Sequence, residues 1–265
     1  MYHLVICAVV RNEAPYLKEW LEYHILMGVE HFFIYDNIST DETVSILEEY
    51  TKHGFVTYTQ MPEVPIQFNA YNRFLREHGD KTKWASFTDI DEFLVAKNSP
   101  NFSRALFDYA NHPGLALYWV GFGSSGHQEH TPGLVIERFT KRAKGVDKHV
   151  KTICQPALTT SVGKDPHTFY YKKGSAVDEH HRKLPQNYAL GKGTADNLWI
   201  NHYWTKSYAE FKKRREWPNA GDGRPYGDLD VTFKSQDTND VIDLCAQQWA
   251  PAVKRMIEYR GKQHG

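Results

Sequence analysis

Four apolar runs, separated by amphipathic segments, occupy residues 1–95 and constrain this chain more than any other feature. Leu4-Val5-Ile6-Cys7-Ala8-Val9-Val10 is continuously apolar, as a strand covered on both faces must be. Pro15 then opens a helix at a position where its missing N–H costs nothing. Leu17, Trp20, Leu21, His24, Ile25 and Gly28 fall on one face of it at i, i+3, i+4 spacing. His31–Tyr35 is a second strand. Ser39-Thr40-Asp41-Glu42 reads as a capping box for a helix whose stripe is Val44, Leu47 and Tyr50. Residues 55–60 form a third strand, 66–78 a third helix and 84–94 a fourth strand. This βαβαβαβ order predicts an α/β fold, with a mostly parallel central sheet and right-handed crossovers. In such sheets ligands bind outside the carboxyl ends of the strands.

Beyond residue 95 the pattern is less regular. A helix is expected over 102–111, and a strand over 115–120 that runs into Gly121-Phe122-Gly123-Ser124-Ser125-Gly126. Short strands are expected at 134–139 and 150–154, loop over 156–196, and a last strand at 198–204. A helix at 208–217, loop over 218–230 and a terminal helix at 241–260 complete the chain. No repeat, low-complexity tract or linker interrupts it, so residues 1–265 read as one domain with C-terminal helices. The 32 basic residues equal the 32 acidic ones, which leaves no global field for nucleic acid. Leu4–Val10 is short and lacks a basic flank, so it is neither a signal peptide nor a membrane span. Cys7, Cys154 and Cys245 form no CxxC pair and read as thiols of a reducing, cytoplasmic compartment.

Polar residues follow three of the strands: Arg11-Asn12-Glu13, Asp36-Asn37, and Asp89 with Asp91. In a parallel sheet these clusters converge on one edge. Asp89 and Asp91 are two apart, and on an extended strand they point to the same side. Phe87 and Phe93-Leu94 flank them, so the acids interrupt a buried run where ionised carboxylates are costly without compensation. Two such groups repel unless a cation sits beside them. Oxygen ligands suit Mg²⁺ or Mn²⁺, and an ion held by few carboxylates keeps positions open for the oxygens of a leaving diphosphate. Asp36 is placed to accept hydrogen bonds from a base or ribose. The alternative for an isolated Asp-x-Asp is a solvated turn.

Val10-Arg11-Asn12-Glu13, Glu19–His24, Tyr35–Asp41 and Phe87–Phe93, in that order, resemble bacterial family-2-like glycosyltransferases and are similar to glycosyltransferase family 92. Trp119 with Phe122–His127, Lys151-Thr152-Ile153 with Pro156, and Asn201–Ser207 extend the resemblance over about residues 4–217. It implies a single GT-A-like, Rossmann-like domain with a nucleotide-binding half (1–95), an acceptor-side half (96–217) and a C-terminal tail (218–265). It also implies a nucleotide-diphosphate sugar donor, with a UDP-sugar favoured, and a divalent cation. On that basis Arg11, Asn12, Glu13, Asp36 and Asn37 approach the nucleotide. Asp89 contacts ribose or metal, Asp91 the metal, and His202 is a third ligand or a diphosphate contact. Lys151, Lys206 and Lys213 are candidates to neutralise diphosphate. Gly123, Ser124, Ser125, His127 and His167 lie on the acceptor side, where the turn's N–H groups would meet a glycan or lipid-linked acceptor.

Relatives of this type invert the anomeric centre, which requires a general base. Asp165, Asp178, Glu179 and Asp222 qualify by position, with Asp178 preferred. His127/His130 and His180/His181 lack the companions of a zinc site, and Gly191-Lys192-Gly193-Thr194 lacks the first glycine of a P-loop. The competing readings are a haloacid-dehalogenase-like phosphatase and a non-catalytic nucleotide-sugar or glycan-binding module. Without a membrane span, contact with a lipid-linked acceptor would be peripheral.

Overall fold

A computed structural model describes residues 1–185, 192–216 and 224–262. Its strands are β1 (Tyr2–Val10), β2 (His31–Asp36), β3 (Val56–Gln60), β4 (Thr82–Phe87), β5 (Glu92–Ala96) and β6 (Gly114–Gly121). Then follow β7 (Lys141–Arg142), β8 (Val150–Cys154), β9 (Thr159–Val162), β10 (Phe169–Tyr171), β11 (Leu198–His202) and β12 (Val241–Ile242). The helices are α1 (Ala14–Leu26), α2 (Thr43–Lys52), α3 (Gln67–His78) and α4 (Phe102–Ala105). The others are α5 (Val135–Arg138), α6 (Tyr208–Arg214), α7 (Leu229–Gln236) and α8 (Ala250–Lys262).

Eight strands form one sheet in the order β3-β2-β1-β4-β8-β6-β11-β5. The β3-β2-β1-β4 half is parallel, as is the β6–β11 pair. Strand β8 runs antiparallel to both β4 and β6, and β5 antiparallel to β11. Two reversals cancel, so all strands of this sheet except β8 and β5 point the same way and end on one edge. The expected α/β fold with a mostly parallel sheet and C-terminal helices is therefore present. Alternate residues of β1 serve opposite faces. Leu4, Ile6 and Ala8 pack with Trp20 of α1, Leu47 of α2 and Val253 of α8. Val5 and Cys7 pack with Tyr71 and Phe74 of α3. That is why this run is apolar at every position.

The fourth strand is not continuous. It breaks after Phe87, and the turn through Thr88–Asp91 closes on itself: Asp89 N–H donates to Glu92 Oε2 (2.8 Å) and Glu92 N–H to the Asp89 carbonyl (3.1 Å). The chain then crosses to the far edge as β5. Asp89 and Asp91 thus flank a turn and are not co-directional residues of an extended strand. The cause is local side-chain bonding that competes with a ladder.

Other boundaries differ for similar reasons. Residues 134–139 form the single turn α5 rather than a strand, because the Glu19 carboxylate accepts the N–H groups of Val135 (2.7 Å) and Ile136 (3.0 Å). The turn into α2 is closed by Asp41, whose Oδ1 accepts Thr43 N–H (2.9 Å), while Ser39 is taken by Asn12 N–H and Glu42 at the N-cap makes no side-chain cap. The region 156–196 contains the β9–β10 hairpin. The terminal helix begins only at Ala250, with Pro251 in its first turn, and α7 occupies part of the expected loop. The helix expected over 208–217 ends at Arg214, and Trp217 lies outside the described residues.

Two buried polar anchors fix α1. His24, fully buried, donates Nδ1–H to the Trp20 carbonyl (2.8 Å) and accepts Leu94 N–H at Nε2 (3.3 Å). Burial pushes its pKa down to about 3. Unfolded, the same ring titrates near its ordinary 6.5. A folded pKa below the unfolded one gives stability that is complete above pH 6.5 and lost as pH falls towards 3. The expected contribution of His24 is a loss of about 2 kcal/mol at pH 5 relative to neutrality. Urea titrations at both pH values should show that loss in the native protein and a smaller one in His24→Gln. An equal loss in the two proteins would assign it elsewhere.

The second anchor is Glu210 of α6. It accepts Arg138 Nη1 (2.8 Å) and Nη2 (2.9 Å), the Tyr16 hydroxyl (2.9 Å) and the Ser207 hydroxyl (2.6 Å). Burial favours its protonation, but Arg138, Ser207 and Tyr16 outweigh it and hold the carboxyl well below its ordinary range. Glu210→Ala leaves the buried Arg138 guanidinium unpaired, a loss of about 3–5 kcal/mol. Calorimetry should find Tm lower by roughly 10 °C.

Candidate active site

The carboxyl edge gathers side chains from distant parts of the chain. Asp89 and Asp91 leave β4, Glu13 follows β1, and His202 ends β11 beside Glu92. Lys151 also arrives here, because β8 is reversed and places its amino end on this edge. Asp89 is doubly engaged: Lys151 Nζ donates to Oδ2 (2.8 Å) and Gln67 Nε2 to Oδ1 (3.2 Å). Lys151 Nζ also lies 3.6 Å from Glu92 Oε2. Burial disfavours the ammonium, yet Asp89 and Glu92 hold its pKa well above the usual lysine range. Glu92 is fully buried, and burial raises its pKa far above the carboxylate range against the pull of Lys151. Its Oε1 has no hydrogen-bond partner among the described residues.

Asp91 is placed differently. Its carboxylate lies 3.8 Å from His202 Nε2. Burial would raise its pKa, but His202, Lys206, Arg214 and Arg215 together lower it. His202 is depressed by burial and kept neutral, so Nε2 is available as a ligand nitrogen. Its ring lies against Trp119, with centroids 4.2 Å apart. The buried Trp119 Nε1 has no hydrogen-bond partner among the described residues. His167 lies edge-on to the same indole (5.2 Å) and bonds through Nδ1 to the Val150 carbonyl (2.9 Å); burial and Lys151 push its pKa down to about 3. Lys206, nearly buried, sits over the Tyr16 ring at 4.5 Å. Arg214 Nε meets Glu13 at 2.8 Å. Asn12, Ile38, Ser125 and Lys206, all in loops at this end of the sheet, hold φ between 51° and 55°, a strained region that clusters at functional sites.

The nucleotide-side residues are mostly engaged with one another. Arg11 Nη1 donates to Asn37 Oδ1 (3.1 Å), and Asn37 Nδ2 donates to the Met61 and Glu63 carbonyls. Asn12 Oδ1 accepts Thr40 N–H (2.7 Å). Asp36 has no exposed surface and accepts Ser39 N–H of its own loop.

Three expectations are corrected. Asp178 does not face the carboxyl edge. It follows Val177, which bridges Leu115 at the start of β6, and its carboxylate is held by Arg182 Nε (2.6 Å). Glu179 lies at the same amino edge, accepting Asp196, Asn197 and Leu198 N–H. Neither reaches an acceptor at the opposite edge. Asp165 caps the β9–β10 connection by accepting His167 N–H (2.9 Å), and Asp222 lies outside the described residues. The turn at Gly123, Ser124 and Ser125 has no N–H to spare for a sugar: Ser124 N–H goes to Asp237, Ser125 N–H to Asn239 and Gly123 N–H to the Lys141 carbonyl. His127 is likewise bonded to the Arg138 carbonyl (3.2 Å). Finally, Lys213 is exposed, and the basic residues of α6 that turn inward are Arg214 and Arg215. Spacing identifies them, since 207, 210, 211, 214 and 215 share one helix face.

Asp89, Asp91 and His202 do not bring three ligand atoms within 4.8 Å of one another; among the described residues only Glu179, His180 and Asp196 do so, at the amino edge. A cavity of about 600 Å³ lies there too, lined by Tyr109, Glu179, His181 and Asn197. Asp91 and His202 nevertheless offer an oxygen and a nitrogen of the kinds that Mn²⁺ or Mg²⁺ accepts.

The family model described as Glycosyltransferase family 92 matches residues 2–217. A family 92 protein of Oryza sativa subsp. japonica, Os08g0121900, is 26% identical over 217 residues, covering 80% of this chain and 35% of that protein. One of Ricinus communis, RCOM_0530710, is 26% identical over 219 residues, covering 80% and 37%. The chain thus spans about a third of the length of the curated relatives it matches. Among solved structures, S. aureus TarS 1–349 in complex with UDP aligns at TM-score 0.37 and 19% identity, over 58% of this chain and 47% of that one. TarS 1–349 alone aligns at 0.38 and 15%, over 80% and 63%. With the family model matching most of its length, the chain belongs to glycosyltransferase family 92.

Proposed function

We propose that this protein transfers a sugar from a nucleotide-diphosphate sugar, with a UDP-sugar favoured, to a glycan or lipid-linked acceptor, with inversion. The observation that carries this reading is Asp91 at the carboxyl edge, 3.8 Å from a neutral His202 and surrounded by Lys206, Arg214 and Arg215. A carboxylate and an imidazole suit a divalent ion, and three cationic side chains suit the diphosphate beside it. Family membership supports the same chemistry.

In this reading Asp91 and His202 would hold Mn²⁺ or Mg²⁺, which supplies Lewis-acid stabilisation of the leaving diphosphate. Lys206 and Arg214 bind the phosphate oxygens, with Arg214 exchanging its Glu13 partner for them. Arg215 is clamped over the Trp204 ring (3.7 Å) and the Phe211 ring (3.6 Å) and holds the end of α6 in place. Trp119 and His167 exclude water from the space beside His202. Positioning and preset charge, rather than one strong base, then carry most of the rate. Cys7, Cys154 and Cys245 are all free thiols, which supports a cytoplasmic location. No described helix is long and apolar enough to cross a membrane, so a lipid-linked acceptor would be met at the membrane surface.

The decisive test is a thermal-shift screen of UDP-, GDP- and dTDP-sugars with Mn²⁺. The correct donor at a hundredfold excess over Kd stabilises by about 2.7 kcal/mol. No shift with any of them overturns the donor reading. With the donor in hand, Asp91→Ala should abolish transfer while leaving the circular dichroism spectrum unchanged, and full activity in EDTA would remove the metal.

A further inference from the structure

Cationic compensation for the acid pair is already built into the chain. Lys151 is nearly fully buried, and its ammonium donates to Asp89 Oδ2 at 2.8 Å and lies 3.6 Å from Glu92 Oε2. Gln67 takes the other oxygen of Asp89 at 3.2 Å. Each oxygen of the first aspartate therefore accepts a hydrogen bond from a group of this chain, one of them a full positive charge. Asp91, two residues on, lies instead 3.8 Å from His202 Nε2. The two acids of the Asp-x-Asp element are inequivalent, and the inequivalence comes from β8 and α3, not from the element itself.

We infer that Lys151 is a positioning residue that keeps Asp89 out of the metal's ligand set and sets how weakly the free protein holds a divalent ion. This rests on the metal-assisted reading of the same site. The physical reason is twofold. An ammonium in contact with Asp89 neutralises that carboxylate and weakens its attraction for a cation, and its charge repels a dication bound at Asp91. Such a site retains metal poorly alone and well once the diphosphate adds negative charge and oxygen ligands. Metal and donor would thus bind together.

The inference is tested by Mn²⁺ binding to the donor-free protein, read from loss of the free-ion electron paramagnetic resonance signal. Lys151→Met, which keeps the stem and removes the charge, should bind Mn²⁺ about tenfold tighter than the native protein. Unchanged or weaker binding overturns the inference. In the native background Asp89→Asn should change Mn²⁺ affinity by no more than about threefold, whereas Asp91→Asn should abolish binding. That pair decides the matter if Lys151→Met fails to fold, because equal losses in the two variants would make Asp89 a ligand. Binding by the native protein without a gain in Lys151→Met sinks this inference alone. No binding by any of these proteins sinks it together with the metal reading. UDP added to the native protein should tighten Mn²⁺ binding, and a smaller tightening is expected in Lys151→Met, a difference that a purely structural role for the lysine would not produce.

Discussion

The contact between the Lys151 ammonium, the Asp89 carboxylate and the Glu92 carboxyl group holds together the point where the sheet changes character. On one side lies the parallel half, β3-β2-β1-β4; on the other lie β8, β6, β11 and β5. The chain leaves the first half through Thr88–Asp91 and lands as β5 on the far edge, four positions away in the sheet. The connection is only four residues long and hydrogen-bonded to itself, so the sheet curls and β5 starts close to the end of β4. Its acid groups, Glu92 fully buried and Asp89 partly so, have to be compensated in place. Lys151 does that, with Gln67 on Asp89 and the Asp89 N–H on Glu92 completing the set.

The placement of the remaining site residues follows from that crossing. Because β5 is the antiparallel neighbour of β11, Glu92 lies opposite His202. This brings the end of β11 beside the turn that carries Asp91. Because β11 is parallel to β6, Trp119 lies opposite Ile200, two positions from His202 and on the same face, and the indole covers the imidazole. After β11 the chain turns through Lys206, with its left-handed backbone, into the capping box of α6. Glu210 then binds that helix to Arg138 and to Tyr16 of α1, and Arg214 is left facing Glu13. A short sequence of local commitments thus assembles a cationic wall opposite one aspartate.

The first half of this was legible in the sequence because its determinants are local or periodic. An uninterrupted apolar run such as Leu4–Val10 has few fates in an α/β pattern, and acids placed after buried strands must compensate for their burial. The need for a cation beside Asp89 was physically sound, but the nearest one is a lysine from β8. Lys151 is 62 residues away, and only the reversed direction of β8 puts it there. Pairing of that kind has no local signature. The same gap misplaced Asp178: a loop acid in the second half can fall at either edge, and the Val177–Leu115 bridge puts it at the amino edge. Arg214, by contrast, was readable, since it shares the face of Glu210 and Phe211 while Lys213 does not.

The segment beyond residue 217, past the family match, is part of the same architecture rather than an appendage. Asp237 and Asn239 accept the N–H groups of Ser124 and Ser125, and Gly123 packs so closely on this segment that a Cβ there would run into the Thr238 carbonyl. Asp243 pairs with Arg142 at 2.7 Å, and β12 adds to β7. At the other end of the tail, Arg260 of α8 pairs with the buried Glu22 of α1, which also accepts the Tyr50 hydroxyl. The glycine-serine turn therefore has its shape set from outside by the tail, and its backbone N–H donors are consumed in holding it. The backbone N–H groups of Gly123, Ser124 and Ser125 are thereby spent inside the protein, and the geometry of this turn depends on residues more than a hundred positions further along the chain.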